Sequence, residues 1–159
     1  MAVVTVERTV DRPIETVWAV VTDVAAHRLP LTEVRTDPGE PGVGWAFEGI
    51  TRLGPVGFAD RMIVTRWHPP ADGTACYAVV KTGRLLGGWA EVTLTEGEPT
   101  IPPGQSGQPG HRTGRRTRIR WREQITPHPH ALGRLLAPAT DRAVRAMFER
   151  AVTEMLARV

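Results

Sequence analysis

The chain has 159 residues, 41% of them apolar and 23% charged, with a formal net charge of +3 at pH 7. No apolar run reaches the roughly 18 residues of a membrane helix, and a single cysteine, Cys76, excludes an intrachain disulfide. Such a length and composition fit one domain, 1–159, with a core of its own. The lone cysteine, and residues 1–10 without a basic-then-apolar leader, make the reducing cytoplasm the expected location.

Residues 3–10 predict a strand, because Val4, Val6 and Val10 alternate with Thr5, Glu7 and Thr9. Asp11 and Pro13 then suit a helix start, Asp11 as a cap and Pro13 in the first turn, where its missing N–H costs nothing. Ile14, Val17, Trp18 and Val21 give that short helix one apolar face, and a second short helix is expected at 23–28. Both are too short to stand alone and need a sheet to lean on.

A series of strands follows. Residues 32–36 predict an edge strand, and 37–42, with two prolines and two glycines, a turn. Strands are then expected at 44–52, 57–68, 75–82 and 87–95. Pro69-Pro70 ends the second of these, and Asp72-Gly73 is a hairpin turn. The short spacing and the turn signals argue an antiparallel meander rather than parallel βαβ units.

Residues 96–114 are rich in proline and glycine and almost free of bulky apolar side chains, which predicts a long mobile hairpin loop. Strand signal resumes at 115–125, where Ile119, Trp121 and Ile125 alternate with Arg118, Arg120 and Arg122. After the turn 126–130, residues 131–159 predict one long amphipathic helix. Leu132, Leu136, Ala139, Ala143, Met147 and Ala151 form its apolar stripe, opposed by Arg134, Arg142, Glu149 and Arg158.

This order resembles the START-like, or Bet v 1-like, superfamily, also called the polyketide cyclase/dehydrase and lipid transport group. The residues that carry the resemblance are Asp11-Arg-Pro-Ile-Glu-Thr-Val-Trp18, similar to its first-helix signature, and Trp67-His-Pro-Pro70 at a strand end. The resemblance implies an α+β helix-grip fold: a curved antiparallel sheet wrapped around the long C-terminal helix, with an apolar cavity between them. It also implies a small apolar or aromatic ligand, a lipid or a polyketide-like molecule. Some members of the superfamily catalyse cyclisation and others bind proteins, so the fold alone does not choose among these.

Asp60 and Glu123 are the candidate chemical groups. On 57–68, Phe58, Asp60, Met62, Val64 and Arg66 share one face, and Ala59, Arg61, Ile63 and Trp67 the other. Both faces carry apolar residues. Placing Met62 and Val64 inward brings Asp60 with them. Glu123 follows Ile119 and Trp121 on the apolar face of its strand. A buried carboxylate without a partner gains proton affinity and can act as a general acid or base. The competing reading is structural: Asp60 pairs with an arginine such as Arg61, or both groups meet solvent at the sheet's end. Trp45, Phe47, Met62, Trp121 and Met147 are the candidate lining of a ligand pocket, against the alternative that each is simply core.

The run 111–122 holds six arginines, which could meet an anionic partner. Projecting to one side of a strand, Arg118, Arg120 and Arg122 equally fit a solvated outer face, paired with Glu91 or Glu48. Nucleic acid is therefore not favoured; a homodimer is compatible with the reading. His27, His68, His111, His128 and His130 show no metal-ligand spacing, and the glycines of 83–88 lack a phosphate-loop lysine pattern, so neither metal nor cofactor is expected.

Overall fold

The computed structural model describes residues 3–27, 31–97 and 115–128, together with Glu149, Arg150 and Thr153. Its elements are β1 (Val4–Val10), α1 (Ile14–Thr22), a 3₁₀ turn (Val24–Ala26), β2 (Thr32–Thr36), β3 (Ala46–Leu53), β4 (Val56–Ala71), β5 (Thr74–Thr82), β6 (Leu86–Gly97) and β7 (Arg116–Pro127). The seven strands form one sheet in the order β1-β7-β6-β5-β4-β3-β2. Every pairing is antiparallel. From β2 to β7 the chain is a meander, and β1 closes onto β7 by a long-range pairing. β2 is an edge strand, as its short polar sequence predicts.

The first helix starts differently from the expectation. Pro13 itself occupies the cap position, with no side-chain cap, and Asp11 instead pairs with Arg116 of β7. The Thr117 hydroxyl, fully buried, donates to the Arg12 carbonyl at 2.8 Å. The start of α1 is thus tied to the sheet by β7 rather than by its own sequence. The second helix shrinks to the 3₁₀ turn, where the Ala26 N–H donates to Asp23 Oδ1 at 3.3 Å.

β4 departs most from simple alternation. Val64 pairs with Val79 and Arg66 with Ala78, so Thr65 is an extra residue and the strand bulges there. Before the bulge Asp60, Met62 and Val64 face inward, as expected. After it the parity flips. Trp67 turns to the inside opposite Tyr77, and Arg66 turns outward to pair with Glu91 at 2.7 Å. The strand also continues past Pro69-Pro70. These residues form a second bulge between the pairs His68–Cys76 and Ala71–Thr74, where a missing N–H removes no ladder bond. The Asp72-Gly73 hairpin follows, both residues at positive φ, 49° and 71°, as a two-residue turn of the primed kind requires.

α1 lies on the inner face of the sheet. Ile14, Val17 and Val21 are buried with Val6, Val64, Tyr77, Val79, Val92, Leu94 and Ile119. Trp18 stands edge-on to Trp67, ring centroids 5.0 Å apart, and to Tyr77 at 6.2 Å. The Tyr77 hydroxyl donates to the Val21 carbonyl at 3.4 Å.

β6 and β7 pair as far as Gly97–Arg116, so the strands on either side of the expected loop do form one hairpin. Residues 98–114 of that loop lie outside the described residues. So does nearly all of the expected helix 131–159, Met147 included. Of it Glu149, Arg150 and Thr153 are described, all helical, and the Thr153 hydroxyl donates to the Glu149 carbonyl one turn back at 2.7 Å.

Candidate functional site

The inner face carries three ionisable side chains in contact. Asp60 comes from β4, Lys81 from the end of β5 and Glu123 from β7, and they are 8%, 9% and 3% exposed. Lys81 Nζ lies 2.6 Å from Asp60 Oδ2 and 3.2 Å from Glu123 Oε1. Its third contact is the Met62 sulfur at 3.7 Å. The Trp121 indole N–H donates to Glu123 Oε2 at 3.2 Å.

Register explains the meeting. Met62 pairs with Lys81, Lys81 with Gly88 and Glu123 with Ala90. The β6 positions between the ammonium and Glu123 are therefore glycine and alanine, and the lysine stem can cross β6 to reach a carboxylate two strands away. Gly88 sits at φ 122°, and a Cβ there would run into the Gln124 carbonyl oxygen. That position accepts only glycine without a shift of β7.

One atom is left over. Lys81, Glu123 and Asp60 Oδ2 are all engaged, while Asp60 Oδ1 is buried with no hydrogen-bond partner among the described residues. Native proteins rarely leave such an acceptor unsatisfied.

The environment also shifts the proton affinities. Burial pushes Glu123 above the ordinary carboxylate range, against the opposing pull of Lys81 and the Trp121 N–H, and the Asp60 charge adds to the rise. Burial alone would lower Lys81, but the Glu123 and Asp60 charges and their hydrogen bonds overcome it and hold the ammonium above its usual value. Tyr77 is pushed up by burial and by the Glu123 charge. The cluster thus sets a reluctant carboxylate beside a firmly protonated amine.

No protein-family model and no curated protein sequence matches the chain. Solved structures do. Protein TTHA0849 of Thermus thermophilus matches with a TM-score of 0.65 at 15% identity, over 97% of this chain and 94% of that one. Protein CV1439 of Chromobacterium violaceum matches at 0.57 and 13%, over 99% and 96%. The Zhui aromatase/cyclase of Streptomyces sp. R1128 matches at 0.54 and 17%, also over 99% and 96%. The fold is START-like, that is, Bet v 1-like.

Within this START-like fold the structure brings together Asp60, Met62, Trp121 and Glu123 of the residues singled out by sequence. Phe47 is buried and paired in register with Met62. Trp45 packs against Phe47 with the ring planes tilted by 40° and centroids 5.6 Å apart, and its indole N–H donates to the Asp37 carbonyl at 3.0 Å. Asp60 does not pair with Arg61, whose guanidinium points outward to Asp37 at 2.7 Å.

The centre of the cluster, Lys81, was not a sequence candidate. Two signals point to it. It is the only lysine among 20 basic residues, and it continues the alternation Ala75, Tyr77, Val79 on the buried face of β5.

The arginines of β7 lie on the outer face, as expected for a solvated surface. Arg118 and Arg120 both reach Glu7 of β1, at 2.7 and 3.4 Å. Arg122 reaches Glu91 at 3.6 Å and stands over the Trp89 ring, 5.4 Å from its centroid. Glu48, the other expected partner, is in β3, four strands from β7 in the sheet order, and cannot be reached. Among the described residues no group of three or more His, Cys, Asp or Glu side chains could hold a metal ion, and no helix is long and apolar enough to cross a membrane.

Proposed function

We propose that the protein binds a small apolar or aromatic molecule, lipid or polyketide-like, on the inner face of the sheet. In this reading residues 131–159 form the long helix of a helix-grip fold and Met147 faces the sheet. The ligand occupies the space between, against Trp45, Phe47, Met62 and Trp121, with Asp60 and Glu123 as its polar contacts. The observation that carries the proposal is the unpartnered Asp60 Oδ1. A buried acceptor left unmade costs about 1–3 kcal/mol, and a cluster otherwise fully satisfied makes sense if a bound molecule supplies the missing donor. The aromatic and thioether side chains around it are the usual lining of a small-molecule site.

The test is native mass spectrometry of the purified protein after incubation with lipid and aromatic-metabolite extracts. The same spectra read monomer against homodimer. Retention of a small molecule, with a rise in melting temperature by mass action, is the expected result. Neither retention nor a thermal shift with any extract would defeat the reading.

A second reading is an enzyme of the aromatase/cyclase kind, the activity named for the Streptomyces neighbour. It is favoured by one observation: Glu123, raised in proton affinity, is connected through Lys81 to Asp60, which keeps an open lone pair. Such a pair can give a proton at one point of a substrate and take one at another. Asp60→Asn separates the readings. A binder loses affinity modestly, whereas an enzyme keeps binding and loses turnover by roughly 10²–10⁴-fold.

A further inference from the structure

We propose that the Asp60–Lys81–Glu123 cluster selects ligands that present a hydrogen-bond donor, a hydroxyl or an ammonium group, and rejects ligands that present a carboxylate; this rests on the binding reading above.

Among the described residues, the donors at the cluster and two nearby on the sheet already have acceptors. Lys81 directs its ammonium to Asp60, Glu123 and the Met62 sulfur. The Trp121 N–H goes to Glu123, the Tyr77 hydroxyl to the Val21 carbonyl and the Trp45 N–H to the Asp37 carbonyl. Each of these donors is committed within the protein. The buried polar atom of the cluster left open among the described residues, Asp60 Oδ1, is an acceptor. A ligand hydroxyl or ammonium can complete it. An ether or carbonyl oxygen cannot, because it brings a second acceptor to a first.

Charge points the same way. Two carboxylates share one ammonium, so the fully ionised cluster carries one net negative charge. In a desolvated setting that charge attracts a cation and repels an anion far more than in water. A ligand carboxylate would meet like charge and find none of these donors open to it. Specificity of this kind rests on the repelled group as much as on the accepted one.

The experiment measures dissociation constants by tryptophan quenching and by calorimetry at pH 7. Four naphthalene probes of nearly equal apolar area are used: 2-naphthol, 2-naphthylmethylamine, 2-methoxynaphthalene and 2-naphthoate. The naphthol and the amine should bind at least ~10-fold more tightly than the methoxy compound, the scale of a hydrogen bond to a charged group, and the naphthoate should bind weakest. In Asp60→Asn the methoxy compound should gain on the naphthol, because the side-chain amide can offer a donor that the carboxylate lacks.

Equal affinities for the four probes in the parent protein would overturn the selectivity and leave the binding reading standing. A ranking unchanged in a folded Asp60→Asn protein would overturn the assignment to Asp60. If Asp60→Asn does not fold, the parent ranking decides alone. Failure of all four probes to bind would overturn the binding reading and the selectivity with it.

Discussion

Lys81→Met removes one charge and little volume, and its consequence can be worked from the cluster. In the parent one ammonium serves two carboxylates at 2.6 and 3.2 Å, and all three residues are at least nine-tenths buried. Solvent screening is therefore small, and the discount that applies to surface pairs does not. Breaking a buried pair by deleting one partner costs about 3–5 kcal/mol, because a charge is left buried without compensation. Against a total stability of about 5–15 kcal/mol for a domain, that is a large fraction. At roughly 2–4 °C per kcal/mol for a chain of this size, the melting temperature should fall by about 6–20 °C at pH 8.

The pH dependence makes this prediction more specific. Glu123 is already held above the ordinary carboxylate range by burial. Losing Lys81 removes the chief influence pulling it down, so the variant relieves its strain by taking up a proton. The destabilisation relative to the parent should shrink from pH 8 to pH 5. Urea melts of both proteins at the two pH values test it, with the double variant Lys81→Met/Glu123→Gln expected to recover part of the loss. A variant as stable as the parent at pH 8, or a loss of equal size at both pH values, would refute the picture of a compensated buried charge.

Glu123→Gln should flatten the parent's own profile. The folded state keeps the Glu123 proton at pH values where the unfolded chain, near its ordinary 4.5, has released it. Stability therefore falls as pH rises from about 4.5 through the raised folded value, and chemical denaturation across that window should show the slope in the parent and not in the variant. Gly88→Ala places a methyl group against the Gln124 carbonyl at a positive φ and should cost at least ~1–3 kcal/mol, read as an earlier urea midpoint. Glu7→Gln on the outer face loses its pairs with Arg118 and Arg120 in full solvent, and its melting curve should overlay the parent's.

Much of the sheet was legible because its signals are local. Alternation in β1, β5 and β7, broken in β1 only at Arg8, tells which side chains share a face, and the parity of Ile119, Trp121 and Glu123 put the buried carboxylate on the apolar face. β4 was half legible for the same reason. Alternation carried Asp60, Met62 and Val64 inward, but it cannot register an extra residue, so Thr65 reversed the sides of Arg66 and Trp67. Pro69-Pro70 read as a strand end because proline removes a donor, yet a bulge is a place where that donor is not needed. Lys81 with Glu123, across β6, and Glu7 with Arg118 are encounters between distant segments. Periodicity places each partner on a face but does not say which strands are neighbours.

The choice of lysine at position 81 follows from the same geometry. Every other basic residue in the chain, nineteen in all, is arginine. Arginine suits an outer surface such as that of β7, where a planar fork can meet carboxylates and stack on a ring, as Arg122 does on Trp89. Inside, each donor needs an acceptor. The interior site offers one oxygen of Asp60, one of Glu123 and the sulfur of Met62, which matches the three N–H groups of an ammonium. A guanidinium would bring five donors to those three acceptors and leave the surplus buried. The cluster is therefore built around a compact cation that its own carboxylates and thioether satisfy completely. With the Lys81 donors committed and Asp60 Oδ1 still open among the described residues, the binding proposal assigns the remaining hydrogen bond to a donor on the bound molecule.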